Sequence, residues 1–229
     1  MKTVGIVGGL GPETSAKFIL NLNSGFIESL NKTRPPLLLW NVPMNLEKEK
    51  KIILNGKEEK HFLELLIEGA RRVENGGAEF IVIPCNTAHL FINKIRNSVK
   101  IPVMSIVEET AKALTRQKIQ KVALLATGLT VKKNLFGKEF KKQNIRIILP
   151  SEDDQNKINN LISDLVLGIN KNICRKIFNT VVNNLKKRNI FFVLLACTDL
   201  QLLDPESKGV VFFDTLNILL ESTLKKISE

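Results

Sequence analysis

The chain has 229 residues, of which only three are cysteine, two are histidine and none is tyrosine. Three cysteines are too few for the disulfide framework of a small secreted protein. No apolar run approaches the roughly 18 residues that cross a bilayer, and the N-terminal segment is too short and too rich in glycine for the apolar region of a signal peptide. These absences favour a cytoplasmic protein without a membrane partner, whose free thiols are available for chemistry.

Charge is distributed unevenly along the chain. Lysine and arginine number 34 against 23 acidic residues, a net charge of +11. Residues 112–198 carry 17 basic and 5 acidic residues, whereas the remainder carries 17 and 18. A positive excess suggests nucleic acid, anionic lipid or an acidic substrate as partner. With no tyrosine, a single tryptophan and no zinc-finger or RNA-recognition signature, nucleic acid is not favoured. We interpret the basic stretch mainly as solvated helix faces.

Short apolar runs bounded by glycine, proline or asparagine predict buried strands. They cover residues 4–7, 37–41, 80–83, 103–106, 122–126, 146–149, 191–196 and 210–213. Apolar stripes at helical spacing lie between most of these runs, and the clearest covers residues 62–73. Alternating strands and helices are typical of an α/β fold with mainly parallel sheets flanked by helices. We place a boundary between two lobes near Ala111, where the acidic start of a helix gives way to the basic stretch.

Two of the predicted strands end in a similar way. Residues 80–87 and 192–198 are each an apolar run that leads to a cysteine, Cys85 or Cys197, and then to hydroxyl or amide side chains. Because the carboxyl ends of parallel strands form the ligand crevice, each lobe is predicted to present one thiol there. The start of a following helix would lower the thiol pKa. Cys174, inside a helical pattern, is predicted to be a core residue.

Other uses of these residues are less well supported. A zinc site is disfavoured because neither a Cys-x-x-Cys pair nor a second pair of ligands is present. A thiol hydrolase would need His61 or His89 as the base for Cys85, and no oxyanion motif accompanies them. Residues 8–12, Gly-Gly-Leu-Gly-Pro, form either a tight strand-to-helix turn or an anion-binding loop, and they do not fit a dinucleotide fingerprint.

Three motifs together carry a family resemblance. They are residues 8–15 (Gly-Gly-Leu-Gly-Pro-Glu-Thr-Ser), 84–89 (Pro-Cys-Asn-Thr-Ala-His) and 196–200 (Ala-Cys-Thr-Asp-Leu). In order and spacing they resemble the cofactor-independent aspartate/glutamate racemase family, specifically its aspartate racemase branch, and the likeness covers essentially the whole chain. Asp199 stands where the glutamate racemases of cell-wall synthesis have a histidine.

The resemblance implies two similar α/β lobes with the active site in the crevice between them. A first lobe would comprise residues 1–111 with the C-terminal segment 212–229, and a second lobe residues 112–211. It also implies a homodimer and no cofactor, pyridoxal phosphate included. Racemisation removes the α-proton from one face and returns a proton to the other, so Cys85 and Cys197 are expected to be the two catalytic bases, exchanging roles between enantiomers.

Substrate-binding residues are carried over by position from the family motifs. Those predicted from the motifs are Leu10, Asn86, Thr87, Thr127 and Thr198. Lys48 and Lys157 fall near family cations, one of which grips a side-chain carboxylate in some relatives. The expected substrate is a small anionic amino acid, aspartate first and glutamate second. Alternatives are a related cysteine-dependent isomerase or decarboxylase, and a binding protein that uses its basic lobe.

Departures from the family pattern follow Thr127. The family commonly continues there with Thr-Gly-Thr and later a tyrosine, whereas this chain has Gly128-Leu129-Thr130 and then Phe136. The loss of a hydroxyl group at residues 128 and 136 would alter how a carboxylate is bound.

Overall fold

The computed structural model describes residues 1–29, 33–55 and 58–229. Its strands are β1 Val4–Gly8, β2 Leu37–Asn41, β3 Phe80–Val82, β4 Lys121–Leu125, β5 Arg146–Ile148, β6 Phe192–Leu195 and β7 Val211–Asp214. They form one sheet in the order β2-β1-β3 and a second in the order β5-β4-β6-β7. Every strand pair is parallel. The predicted fold class, an α/β protein with parallel sheets flanked by helices, is confirmed.

Helices connect the strands and cover both sheets. The α-helices are α1 Pro12–Ser29, α2 Leu46–Asn55, α3 Glu59–Asn75, α4 Ile92–Arg96, α5 Ile106–Arg116, α6 Gly128–Lys132, α7 Gly137–Lys142, α8 Glu152–Val166, α9 Lys171–Lys187 and α10 Thr215–Ser228. Two short 3₁₀ helices, Thr87–Phe91 and Thr198–Leu203, follow the ends of β3 and β6. No α-helix within the described ranges is long and apolar enough to cross a membrane.

The predicted strand over residues 103–106 is wrong. Val103 makes only an isolated bridge to Ile81, and α5 begins at Ile106. Pro102 has no N–H to donate to a ladder, and the Ser105 side chain accepts a hydrogen bond from the backbone N–H of Glu108. Ser-x-x-Glu is the spacing of a helix N-cap, so local capping ends the extended segment before a strand can form.

Helix α3 shows how the predicted stripes make the core. Phe62, Leu66 and Val73 are buried on its inner face and pack beside the first sheet. A Cβ at Gly5 of β1 would lie 2.7 Å from Val73 Cγ2, so only glycine permits this close approach. Burial of such side chains contributes about 25 cal/mol per Å² of apolar surface. The sequence also predicts an apolar stripe at residues 18, 22, 26 and 30 for the first helix, and its last residue, Leu30, lies outside the described residues.

The C-terminal segment joins both halves of the molecule. Strand β7 pairs with β6 in the second sheet, so the predicted boundary at residue 212 falls inside a strand of that sheet. Helix α10 packs against α5 and α1, and the backbone N–H of Lys2 donates to the carbonyl of Ile227 at 2.9 Å. The strand therefore belongs to the second sheet, while the helix that follows it contacts the first lobe.

Candidate functional site

The ends of β3 and β6 open onto one enclosed cavity of about 30 Å³ between the two halves. Cys85 lies just beyond the end of β3 and Cys197 just beyond the end of β6. Seven of the nine predicted site residues line the cavity: Cys85, Cys197, Leu10, Asn86, Thr87, Thr127 and Thr198. A larger open groove of about 890 Å³ between α5 and α10 contains neither thiol. We therefore place the candidate site in the small cavity.

Both cavity thiols have raised pKa values, contrary to the prediction of lowered ones. Burial raises the pKa of the Cys85 thiol to about 12, the backbone N–H of Ala88 opposes the shift, and the charges of Asp199 and Glu49 add to it. Burial and then the Asp199 charge raise the pKa of Cys197 well above its usual value. The two helices that follow are short 3₁₀ turns. Their N–H groups offset only part of the cost of burying a thiolate.

Asp199 lies directly beside the second thiol. Thr14 donates its hydroxyl hydrogen to Asp199 Oδ1 at 2.7 Å, and the Cys197 thiol donates to Oδ2 with a separation of 3.7 Å. Burial raises the pKa of Asp199, and the bond from Thr14 opposes that shift. A Cβ at Gly11, where φ is +85°, would lie 2.6 Å from Oδ1. The glycine turn thus makes room for a carboxylate that positions Cys197.

A chain of hydrogen bonds joins the two halves beside the thiols. Thr215 donates its hydroxyl hydrogen to the carbonyl oxygen of Leu195 at 2.9 Å, and Asn86 Nδ2 donates to the same hydroxyl at 2.9 Å. Because Thr215 has only one hydrogen to give, Asn86 must supply its NH₂ group here. Asn86 Oδ1 is buried and has no hydrogen-bond partner among the described residues. This acceptor is available to a ligand with N–H groups.

Hydroxyl groups from the two halves also meet at the cavity. Thr87 Oγ1 and Thr127 Oγ1 lie 3.3 Å apart. The Thr127 side chain accepts a hydrogen bond from the backbone N–H of Thr130 at 3.2 Å, which caps α6. Secondary structure therefore fixes the Thr127 oxygen at the cavity wall.

The two predicted lysines lie elsewhere. Lys157 forms an ion pair with Asp154 on the same helix, with 3.0 Å between Nζ and Oδ1. Lys48 lies on α2 but does not line the cavity, whereas the next residue, Glu49, does. No lysine, arginine or histidine lines the cavity within the described part of the chain. Binding of a substrate carboxylate by Lys48 or Lys157 stays a prediction to which the cavity gives no support.

His89 is a structural residue in this arrangement. The carbonyl of Cys85 accepts a hydrogen bond from His89 Nδ1 at 2.8 Å, and the backbone N–H of Ile106 donates to Nε2 at 3.0 Å. Burial lowers the pKa of His89 to about 4, so the ring is neutral with its hydrogen on Nδ1. Both ring nitrogens are occupied and His61 does not line the cavity. A Cys-His hydrolase therefore has no free base here.

Glu49 is one of five cavity residues that were not predicted as site residues; the others are Met44, Ile52, Phe62 and Asp199. Glu49 is 8% exposed, and the backbone N–H of Gly11 acts to lower the pKa of the Glu49 carboxyl group. Burial and the nearby charge of Asp199 raise the pKa of Glu49 from 4.5 to about 7. No three His, Cys, Asp or Glu side chains in the described ranges are grouped so that they could hold a metal ion. The two carboxylates instead make the cavity wall acidic.

Replacement of Glu49 with glutamine is expected to raise the free energy of unfolding by about 2 kcal/mol near pH 8, and by much less near pH 5. The folded-state pKa of about 7 lies above the usual 4.5, so the folded protein holds this proton more tightly than the unfolded chain. Wild-type stability therefore falls as pH rises through that window, whereas glutamine does not titrate. Urea unfolding at both pH values measures the difference. An equal gain at both would contradict the assignment.

The fold and the cavity define an α/β protein that offers two thiols, one from each half, to a small ligand. The chain belongs to the Asp/Glu/Hydantoin racemase family, which it matches over residues 7–223. This membership confirms the resemblance found in the sequence, and it supports amino-acid racemisation as the reaction.

Relatives of known name agree with this assignment. The chain is 24% identical over 226 residues to the broad specificity amino-acid racemase RacX of Bacillus subtilis (strain 168), covering 96% of each protein. It superposes with a TM-score of 0.83 on the Picrophilus torridus aspartate racemase, at 24% identity, over 100% of this chain and 95% of that one. An aspartate racemase homologue from Pyrococcus horikoshii OT3 gives a TM-score of 0.78 at 24% identity, with full coverage of both chains. At this identity the two structures show a shared fold.

Proposed function

We propose that the protein racemises an amino acid without a cofactor, by a two-base mechanism that uses Cys85 and Cys197. The observation that carries the proposal is that the two thiols come from the ends of two different sheets and line the same cavity. One cysteine, as thiolate, takes the α-hydrogen as a proton, and the other, as thiol, gives a proton to the opposite face of the α-carbon. Each turnover exchanges the protonation states of the two sulfurs.

The raised thiol pKa values favour a mechanism in which the thiolate forms only after substrate has bound. A thiolate derived from a weakly acidic thiol is a strong base, which suits an α-hydrogen of very low acidity. The negative charges of Asp199 and Glu49 help to hold the Cys85 thiol protonated. The α-ammonium group of an amino acid, bound near these carboxylates, would offset their charge and lower the free energy needed to form the thiolate.

Polar side chains on the cavity wall supply the groups that the developing carbanion needs. Charge that forms at the α-carbon is delocalised into the α-carboxylate, where oriented hydrogen-bond donors stabilise it. Thr87, Thr127 and Thr198 line the cavity. Thr127 donates its hydroxyl hydrogen to Thr130 Oγ1 at 3.0 Å, so it would exchange that bond for one to the carboxylate. The unpaired Oδ1 of Asn86 would accept a hydrogen bond from the α-ammonium group. We assign these four residues to binding the amino-acid end of the substrate.

The proposal is tested by α-hydrogen exchange in deuterated water. Protein freed of metal and cofactor is incubated with L- and D-aspartate, L- and D-glutamate, and with neutral and basic amino acids. NMR follows loss of the α-hydrogen and chiral chromatography follows inversion. We expect exchange together with inversion for at least one amino acid. Exchange or carbon dioxide release without inversion would indicate the isomerase or decarboxylase alternative, and no reaction with any amino acid would overturn the proposal.

The sequence predicts aspartate as substrate and glutamate as a second one, and the assay compares both directly. Assembly as a homodimer, location in the cytoplasm, and the absence of nucleic-acid and membrane partners stay predictions. The dimer is tested by light scattering of the purified protein.

A further inference from the structure

We propose that Glu49 selects substrates with a positively charged side chain, so that the cavity takes basic amino acids in preference to acidic ones. This inference rests on the proposed racemisation and specifies which amino acids the same cavity accepts. It departs from the aspartate preference that the sequence predicts.

The start of α2 determines where Glu49 lies. Asn45 Oδ1 accepts hydrogen bonds from the backbone N–H groups of Glu47 and Lys48, at 3.0 and 3.2 Å, and so begins the helix. Glu49 and Ile52, three residues apart, then fall on the same helix face. They are 8% and 2% exposed, respectively, and both line the cavity. An acidic side chain therefore occupies an inward helix position and lines the cavity.

The charges of the cavity wall do not suit a dicarboxylate. Asp199 and Glu49 are its two ionisable carboxyl groups, and no cationic side chain lines it among the described residues. Every amino acid brings one α-ammonium and one α-carboxylate. A second carboxylate, as in aspartate, would meet two like charges in a site of low dielectric. A side-chain ammonium would instead pair with whichever of the two acids the α-ammonium leaves unpaired.

Apolar residues beside Glu49 suit the stem of a long basic side chain. Met44, Ile52 and Phe62 line the same cavity as Glu49. Such side chains pack well against the methylene groups of a lysine-like substrate, while its terminal ammonium reaches an acid. The raised pKa of Glu49 agrees with an acid that is buried without a cation. A bound ammonium would favour its charged form.

The test compares substrates that differ only at the end of the side chain. L-Lysine and L-norleucine share a four-carbon stem, and norleucine lacks the ammonium. Near pH 8 we expect kcat/KM for α-hydrogen exchange of lysine to exceed that of aspartate and of glutamate by about tenfold or more. Glu49→Gln should lower the ratio of kcat/KM for lysine to kcat/KM for norleucine by about tenfold or more, mainly through the KM of lysine. Glu47→Gln, an exposed position of the same helix, is the control and should leave both unchanged.

Several outcomes would overturn the inference. These are a smaller preference for lysine, or a Glu49→Gln variant that loses lysine and norleucine exchange equally, as a purely structural role would require. Calorimetric titration of the wild-type protein separates this inference from the proposed function. If no amino acid is exchanged, racemisation fails, yet tighter binding of lysine than of aspartate still supports the role of Glu49, and tighter binding of aspartate removes it.

Discussion

Replacement of either Cys85 or Cys197 with alanine is expected to lower kcat for racemisation by about a thousandfold or more. Each sulfur is the only proton carrier proposed for its face of the α-carbon. Neither Thr87 nor Thr198, the hydroxyl groups closest in sequence, is a base of comparable strength at neutral pH. The measurement is the rate of inversion by chiral chromatography, from both enantiomers of whichever amino acid the wild-type protein exchanges fastest.

Cys174→Ala is the matched control for these variants. Cys174 is 1% exposed and packs in the core of the second sheet, so its loss should reduce stability modestly and leave kcat within about threefold. The two cavity variants should also differ from each other. Each retains one base, and any residual α-hydrogen exchange without inversion should favour opposite enantiomers. Inversion at near wild-type rate in either cavity variant would contradict the two-base assignment.

Replacement of His89 with alanine is expected to lower the free energy of unfolding by about 2–4 kcal/mol. The ring bridges the carbonyl of Cys85 and the N–H of Ile106 and is 2% exposed. Removal leaves both backbone groups buried without a partner and creates a cavity. Urea unfolding measures the loss. His61→Ala, a partly exposed position on α3, should cost less than about 1 kcal/mol, and a comparable loss there would show that the bridge is not responsible.

The strands were predictable because parallel strands buried on both faces are continuous apolar runs. Seven of the eight predicted runs match strands β1 to β7, and no end differs by more than one residue. The exception is residues 103–106, which do not form a strand despite their apolar composition. Ser105 caps the following helix and Pro102 has no N–H to donate to a sheet. The pairing of β7 with β6, by contrast, is a long-range contact that no local pattern encodes.

The candidate site was predictable where a motif follows a strand. Cys85, Asn86 and Thr87 come together because the chain turns at the end of β3, and the same holds for Cys197 and Thr198 after β6. Glu49 was not found because the segment around it, with many lysines and glutamates, is typical of an exposed helix. Two signals in the sequence could have indicated that Glu49 faces inward. They are Asn45, which caps the helix, and the apolar Ile52, three residues after Glu49. The raised thiol pKa values depend on burial, which distant parts of the chain supply.

The basic excess and the cavity have opposite electrostatic character. The net positive charge lies within residues 112–198, yet the described cavity wall carries carboxylates and no cation. Lys157, within the basic stretch, is paired with the buried Asp154. The overall charge of the protein therefore gives little information about the charge of the group that the cavity binds.

The small size of the cavity sets a limit on turnover. A volume of about 30 Å³ is far below the roughly 300–1,000 Å³ of pockets that hold small ligands. The walls must therefore part in each catalytic cycle, while the bonds from Asn86 through Thr215 to Leu195 hold the two halves together. The frequency of this opening is a ceiling for kcat, and it would make the observed rate sensitive to solvent viscosity even where proton transfer is fast.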